Sequence, residues 1–410
     1  MAQHNLTDTI TFRRGLTIPN RIALAPMQSQ SALEGGYASN DTIRYYNHRS
    51  KAAGLLITEF HYVSESGGPA YMPGYPSQMG IYSDVHLEGA KKLAQALKKD
   101  GNKAVMQIHH GGRMAIGRFI NHQDVVAPSD LQRKFPVRAL TESEIEGIIA
   151  DFGRATKRAI EAGFDGVEIH GANHYLLQQF FSVLTNHRTD TWGGSLENRM
   201  RFPLAVVREV KRVVEESGVK NFIIGYRLSP EEIHGTDIGY TYKESLQLVE
   251  AIVKEDLDYI HLSLWGGYDS KPEGADQSFG SLFKAVLDDE TKLIIVGNIF
   301  SEEAARDAVE NYTDIIAVGR GTLVDPEFGQ KIMDGKGDTI VHEVTPEHVP
   351  NMYLTPGLFE AFTRTDSLGL PPLPGAESIY DQHRGTYDNH PLAIPYAEQN
   401  FLVKKSNHNT

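Results

Sequence analysis

Short, continuous runs of Ile, Val, Leu and Ala recur along the chain, each followed by a stretch with helical spacing of apolar positions. The runs are Ile22 to Ala25, Leu55 to Thr58, Ala104 to Ile108, Phe164 to Ile169, Phe222 to Leu228, Tyr259 to Ser263, Leu293 to Val296 and Ile315 to Val318. Runs without polar alternation suit strands covered on both faces, as in parallel sheets. Between them, helices are predicted over Ser39 to Ala52, Val85 to Lys99, Thr141 to Ala162, Leu196 to Glu216, Tyr242 to Lys254, Phe279 to Asp288, Ser301 to Glu310 and Leu323 to Met333. An additional apolar helix is predicted over Leu176 to Leu184. Thr141 with Glu144 forms a capping box, and Ser195 is placed to cap the helix that carries Glu197 in its first turn.

Eight strand–helix repeats predict an α/β fold, a closed (β/α)₈ barrel. An open doubly wound sheet would carry a Gly-rich first turn, and no G-x-G-x-x-G follows the first strand. Two segments exceed a minimal barrel. His109 to Leu140 is a long segment after strand three, read as a lid or excursion over the mouth, with Arg133, Lys134 and Arg138 as a solvated charge cluster rather than a basic rim. After Val344 the composition shifts to Pro, His, Asn and Tyr, so residues 1–344 are assigned to the barrel and 345–410 to a C-terminal extension. That extension packs on the barrel or on a neighbouring subunit, or forms a disordered tail.

Composition narrows the function. With 40% hydrophobic residues in 410 there is ample core material. A net charge of −13 argues against nucleic acid or an anionic membrane as partner and leaves a small molecule. The chain has no cysteine, which excludes disulfides, thiolate catalysis and cysteine-ligated clusters. No run approaches a membrane span and MAQHNLTDTITFRRG lacks the apolar stretch of a signal peptide, so a cytoplasmic protein is expected.

In a barrel, the carboxyl ends of all eight strands meet at one face. There the chain places Gln107 and His109, His170 and Asn173, Arg227, Ser263 and Trp265, Gly297 and Asn298, and Gly319 and Arg320. The VGN and VGRG turns, Val296 to Asn298 and Val318 to Gly321, follow strands seven and eight, where barrels commonly hold phosphate; their alternative role is to make tight turns. Arg227, ending a buried strand, requires an anionic partner: Glu59, Glu168 or a ligand that becomes negative in turnover. His170, Asn173 and Tyr175 form a donor set suited to a carbonyl oxygen that gains charge. No metal is expected. His170 and His174 have i,i+4 spacing near His109–His110, but Gly171 breaks the strand between them, and no H-E-x-x-H helix is present.

The chain resembles the old yellow enzyme family of FMN-dependent NAD(P)H oxidoreductases from about Thr9 to Met333. The likeness lies in NRIALAPM at Asn20 to Met27, Q-x-HHGGR at Gln107 to Arg113 and HGAN-x-Y at His170 to Tyr175. It continues in NHRTD-x-WGGS-x-ENR at Asn186 to Arg199, in Arg227 and in the two glycine turns. It implies FMN across the barrel mouth, with Ala25, Pro26, Met27 and Gln28 beside the isoalloxazine, Gln107 at its pyrimidine edge and Arg227 near N1. Gly297, Asn298, Gly319 and Arg320 would form the phosphate turns. It also implies NADH or NADPH as hydride source and an activated alkene as acceptor, bound by His170 and Asn173 and protonated by Tyr175. An NADH oxidase or flavin reductase using oxygen or free flavin, and a metal-dependent barrel hydrolase, remain as alternatives, as does a homo-oligomer. Gln28 stands where some relatives carry a redox-tuning Cys, and Gln30 where they carry a site Tyr.

Overall fold

The computed structural model describes residues 4–70, 78–116, 123–132, 136–365 and 371–385. Eight parallel strands close into a barrel in chain order: β1 (Ile22–Leu24), β2 (Leu55–Tyr62), β3 (Lys103–His109), β4 (Gly166–Gly171), β5 (Ile223–Leu228), β6 (Tyr259–Ser263), β7 (Lys292–Val296) and β8 (Ile315–Val318). Closure is by β8 on β1, with Ile316 opposite Ile22 and Val318 opposite Leu24.

The apolar runs are unbroken because each strand buries two faces. Alternate residues separate into two clusters. Leu24, Leu56, Met106, Val167, Ile169, Ile224, Ile260, Ile295 and Val318 point outward under the helices. Ala23, Ala25, Ile57, Val105, Ile223, Tyr259, Ile294 and Ala317 fill the interior. The antiparallel pair Ile10–Thr11 and Thr17–Ile18 caps the amino-terminal end, where the Phe12 and Tyr259 rings stand 5.9 Å apart. One end of the barrel is therefore plugged with hydrocarbon, and the other is left for polar groups.

The outer helices are α1 (Asn40–His48), α2 (Leu87–Lys98), α3 (Glu142–Glu161), α4 (Leu176–Phe181), α5 (Leu196–Ser217), α6 (Tyr242–Val253), α7 (Phe279–Lys284), α8 (Glu302–Asn311), α9 (Arg320–Val324) and α10 (Phe328–Met333). The predicted caps form: Thr141 and Glu144 make the capping box of α3, and Ser195 caps α5. The single helix expected over Leu323 to Met333 is instead two, because Pro326 lacks the N–H an unbroken helix needs. The excursion after β3 is not plain loop: Val126–Ala127, Leu131–Gln132 and Pro136–Ala139 form a small sheet. Arg133 and Lys134 lie outside the described residues, and Arg138 pairs with Asp124 and Glu144.

The segment after Val344 packs against the barrel as far as it is described. Arg49 donates to the Met352 carbonyl at 2.8 Å, and the Thr355 hydroxyl donates to the Ser29 carbonyl. Thr355 caps a further helix, α11 (Pro356–Phe362), which lies over the barrel mouth.

Candidate active site

At the carboxyl end of the barrel the inward positions change from hydrocarbon to polar. Register sets Gln107 opposite Glu168, His170 opposite Arg227, and Arg227 opposite His261. In the lower layer, fully buried Glu168 accepts from Gln107 Nε2 and stands 2.8 Å from His261 Nδ1. Burial pushes its carboxyl up, but His261, Arg227 and Gln107 together hold it below the usual range. Glu168 is thus the buried carboxylate that compensates Arg227. Glu59, the other partner considered, instead accepts from the Ser29 amide and hydroxyl at 2.9 and 2.7 Å.

Above this layer opens a cavity of about 300 Å³. Of the residues singled out in the sequence, Ala25, Pro26, Met27, Gln28, His170, Asn173, Tyr175, Arg227, Gly297, Asn298, Gly319 and Arg320 all line it. Gln107 does not; it lies beneath, and its Oε1 is buried without a hydrogen-bond partner.

Each donor has a defined orientation. His170 Nδ1 accepts from the Ala172 amide at 3.2 Å, which leaves the ring proton of the neutral tautomer on Nε2. Burial, and then Arg227 and His261, hold the imidazole well below its ordinary pKa, so it is neutral at pH 7. Asn173 adopts a left-handed backbone (φ 56°), its amide donating to Ser229 Oγ at 3.1 Å. Ser263 Oγ accepts from Arg227 Nη2 at 3.0 Å and donates to Asn173 Oδ1 at 3.1 Å. With Oδ1 occupied, Asn173 has Nδ2 left to offer. The Tyr175 ring packs 5.1 Å from that of His170, and burial pushes its phenol pKa up, so it keeps its proton.

Across the cavity, Gly297 approaches backbone too closely for any side chain: a Cβ there would lie 2.7 Å from Tyr268 N. Arg320 donates to Asn298 Oδ1 and, at 2.8 Å, to the Pro372 carbonyl. Two of the histidines weighed as metal ligands have partners within the protein. His110 Nδ1 accepts from the Gly112 amide at 3.0 Å, and His109 Nε2 pairs with Gln78 at 3.1 Å.

The sequence model of the NADH:flavin oxidoreductase / NADH oxidase family matches residues 6–339. The chain belongs to that family. This flavin oxidoreductase is 43% identical over 364 residues to a probable NADH-dependent flavin oxidoreductase, YqiG, of Bacillus subtilis, covering 88% of this chain and 96% of the relative. It is 39% identical over 349 residues to an NADH:acrylate oxidoreductase of Vibrio harveyi; the match covers 82% of this chain but only 33% of that longer protein. Among solved structures, an old yellow enzyme homologue from Zymomonas mobilis superposes with a TM-score of 0.72 at 28% identity, covering 86% of this chain and 99% of the other. The protein is an FMN-dependent oxidoreductase that draws its electrons from NAD(P)H, on an old yellow enzyme-type barrel. Among the described residues, no helix is long and apolar enough to cross a membrane.

Several cavity residues had no strand-end signal. Phe60 sits within a strand, and Met114 lies in the excursion. Leu358 and Phe362 come from α11. That helix does carry a readable signature: capping Thr355, Pro356 at the first position, and apolar residues four apart.

Proposed function

We propose that FMN lies across the barrel mouth in this cavity and that the acceptor is an alkene conjugated to a carbonyl or carboxylate group. The residues fit the cofactor. Gln107 Oε1 is a buried acceptor without a partner, suited to a flavin N–H, and Arg227 is a buried cation suited to an electron-rich ring edge. Gly297, Gly319 and Arg320 line the cavity; two glycines let backbone N–H groups come close to an anion and Arg320 adds a charged donor, so they would hold the phosphate. Bound FMN supplies hydride transfer, accepting from NAD(P)H and donating to the alkene.

The observation that carries the acceptor reading is the fixed polarity of His170 and Asn173. The Ala172 amide occupies one's acceptor atom and the Ser263 hydroxyl the other's, so Nε2–H and Nδ2–H remain for one anionic oxygen. These donors bind and polarise the acceptor, and the phenol of Tyr175 supplies the proton to the adjacent carbon. The name of the Vibrio harveyi relative, an acrylate oxidoreductase, agrees with a conjugated acid as acceptor. The net charge of −13 favours such a small molecule over nucleic acid, in a cytoplasmic setting, and the segment from residue 345 serves as an extension of the barrel rim.

His170→Ala tests this reading. Alkene reduction should slow by ~10²–10³, the usual loss for one such donor, while flavin reduction by nicotinamide changes far less. Equal loss in both half-reactions would remove His170 from the acceptor site. Anaerobic turnover with an enone also separates this reading from an oxidase, which would use oxygen or free flavin and leave the enone untouched.

A further inference from the structure

His174 does not share His170's surroundings. Its Nδ1 stands 3.3 Å from Glu232 Oε1, and His234 Nε2 stands 3.6 Å from that same oxygen. The three potential ligand atoms all lie within 4.8 Å of one another. Glu232–His234 is the first strand of an antiparallel hairpin with Asp237–Tyr240, beyond β5, and the i,i+2 spacing turns both side chains to one side. His174 meets them from the β4 turn, held by a left-handed backbone (φ 63°) and by its amide, which donates to Gln178 Oε1 at 3.0 Å.

The Glu232 carboxylate is buried, and Gln178 Nε2 donates to its other oxygen at 3.3 Å. His234 Nε2 is buried as well, and at 3.6 Å it is too far from the carboxylate to form a hydrogen bond. His234 Nε2 thus makes no hydrogen bond itself and faces a carboxylate oxygen that lies within hydrogen-bond reach of His174 Nδ1. With metal–nitrogen and metal–oxygen bonds of ~2.0–2.2 Å, ligand atoms on a tetrahedral zinc ion stand about 3.4 Å apart. The two separations around Glu232 Oε1 bracket that value.

We propose that His174, Glu232 and His234 form a binding site for a divalent transition-metal ion, with zinc the best match, on the flank of the active-site cavity. Two imidazoles and one carboxylate suit zinc better than magnesium or calcium, which take oxygen ligands. Three protein ligands leave a fourth position for water or a solute. Because His174 also lines the cavity, the ion would set positive charge into the cavity wall.

The test uses tag-free holoenzyme stripped with EDTA and equilibrated by dialysis against zinc chloride near neutral pH, with zinc and flavin counted per chain. The expected result is one zinc per chain and a raised melting temperature. In His234→Ala, affinity should fall by more than the ~10–100-fold that loss of an outer-shell partner causes, with flavin retained. His234→Gln serves as the second variant should the alanine form lose its flavin. Absence of stoichiometric zinc, or equally tight binding in both His234 variants, would overturn the proposal; the second result would place the ion on other surface histidines.

Discussion

Ser263→Ala removes one hydroxyl of the cavity wall that has no chemical role in the proposed mechanism, yet sets the direction of a group that does. Ser263 Oγ donates to Asn173 Oδ1 at 3.1 Å, which keeps the amide N–H for the cavity, and it receives Arg227 Nη2 at 3.0 Å. A buried neutral hydrogen bond contributes about 0.5–1.5 kcal/mol net. Without it, the preference for the productive amide orientation falls by about 1 kcal/mol, or roughly fivefold in rate. Complete loss of the donor sets the ceiling at ~10²–10³. Ser263→Ala should therefore slow the acceptor half-reaction by about 5–30-fold, between these limits, and leave reduction by NADH much less changed. Anaerobic stopped-flow at saturating FMN reads both steps from the flavin absorbance. In an Asn173→Ala background the serine substitution should have little further effect, since its target is gone. Additive losses, or equal losses in both half-reactions, would refute the orientation argument.

Burial pushes the Glu59 carboxyl up to about 7 against the Ser29 hydrogen bonds that lower it. Its folded-state pKa therefore exceeds the unfolded value, so the native state binds the extra proton and stability declines as pH rises between about 4.5 and 7. Glu59→Gln should stabilise the protein at pH 8 by on the order of 2–3 kcal/mol and by far less at pH 4. A melting-temperature gain of equal size at both pH values would contradict this. Gly297→Ala should destabilise the protein by ~1–3 kcal/mol and weaken flavin retention, because the new methyl meets Tyr268 N at 2.7 Å. Unchanged melting and unchanged flavin content after gel filtration would show that the turn tolerates a side chain.

The barrel was legible because burial on two faces leaves a simple mark: eight apolar runs, seven of them ending within two residues of the observed strands. β2 is the exception, since its polar continuation Glu59 to Tyr62 remains in the sheet. The site was legible where chemistry coincides with a strand end, as at His170, Arg227 and Gly297. It was less so where the reason is three-dimensional. The choice between Glu59 and Glu168 for Arg227 depends on which carboxylate faces the barrel interior, and no spacing discloses that. Helix ends were overrun where buried residues continue past the helix: α1 stops at His48, the chain turns at Arg49, and Arg49, Ser50 and Ala52 stay buried outside it, although the pattern runs to Ala52. The meeting of His174 with Glu232 and His234 depends on a hairpin folding back across some sixty residues of chain.

In the proposed mechanism one cavity, over the polar end of the barrel, holds both the flavin and the acceptor's oxygen. A crystal structure of the yellow holoenzyme with a non-reducible enone analogue tests it most directly. The expected result is the isoalloxazine beside Pro26 and Met27, its phosphate at Gly319 and Arg320, and the analogue's oxygen within reach of both His170 Nε2 and Asn173 Nδ2. A flavin bound elsewhere, or an analogue oxygen held by neither donor, would rule out the shared site.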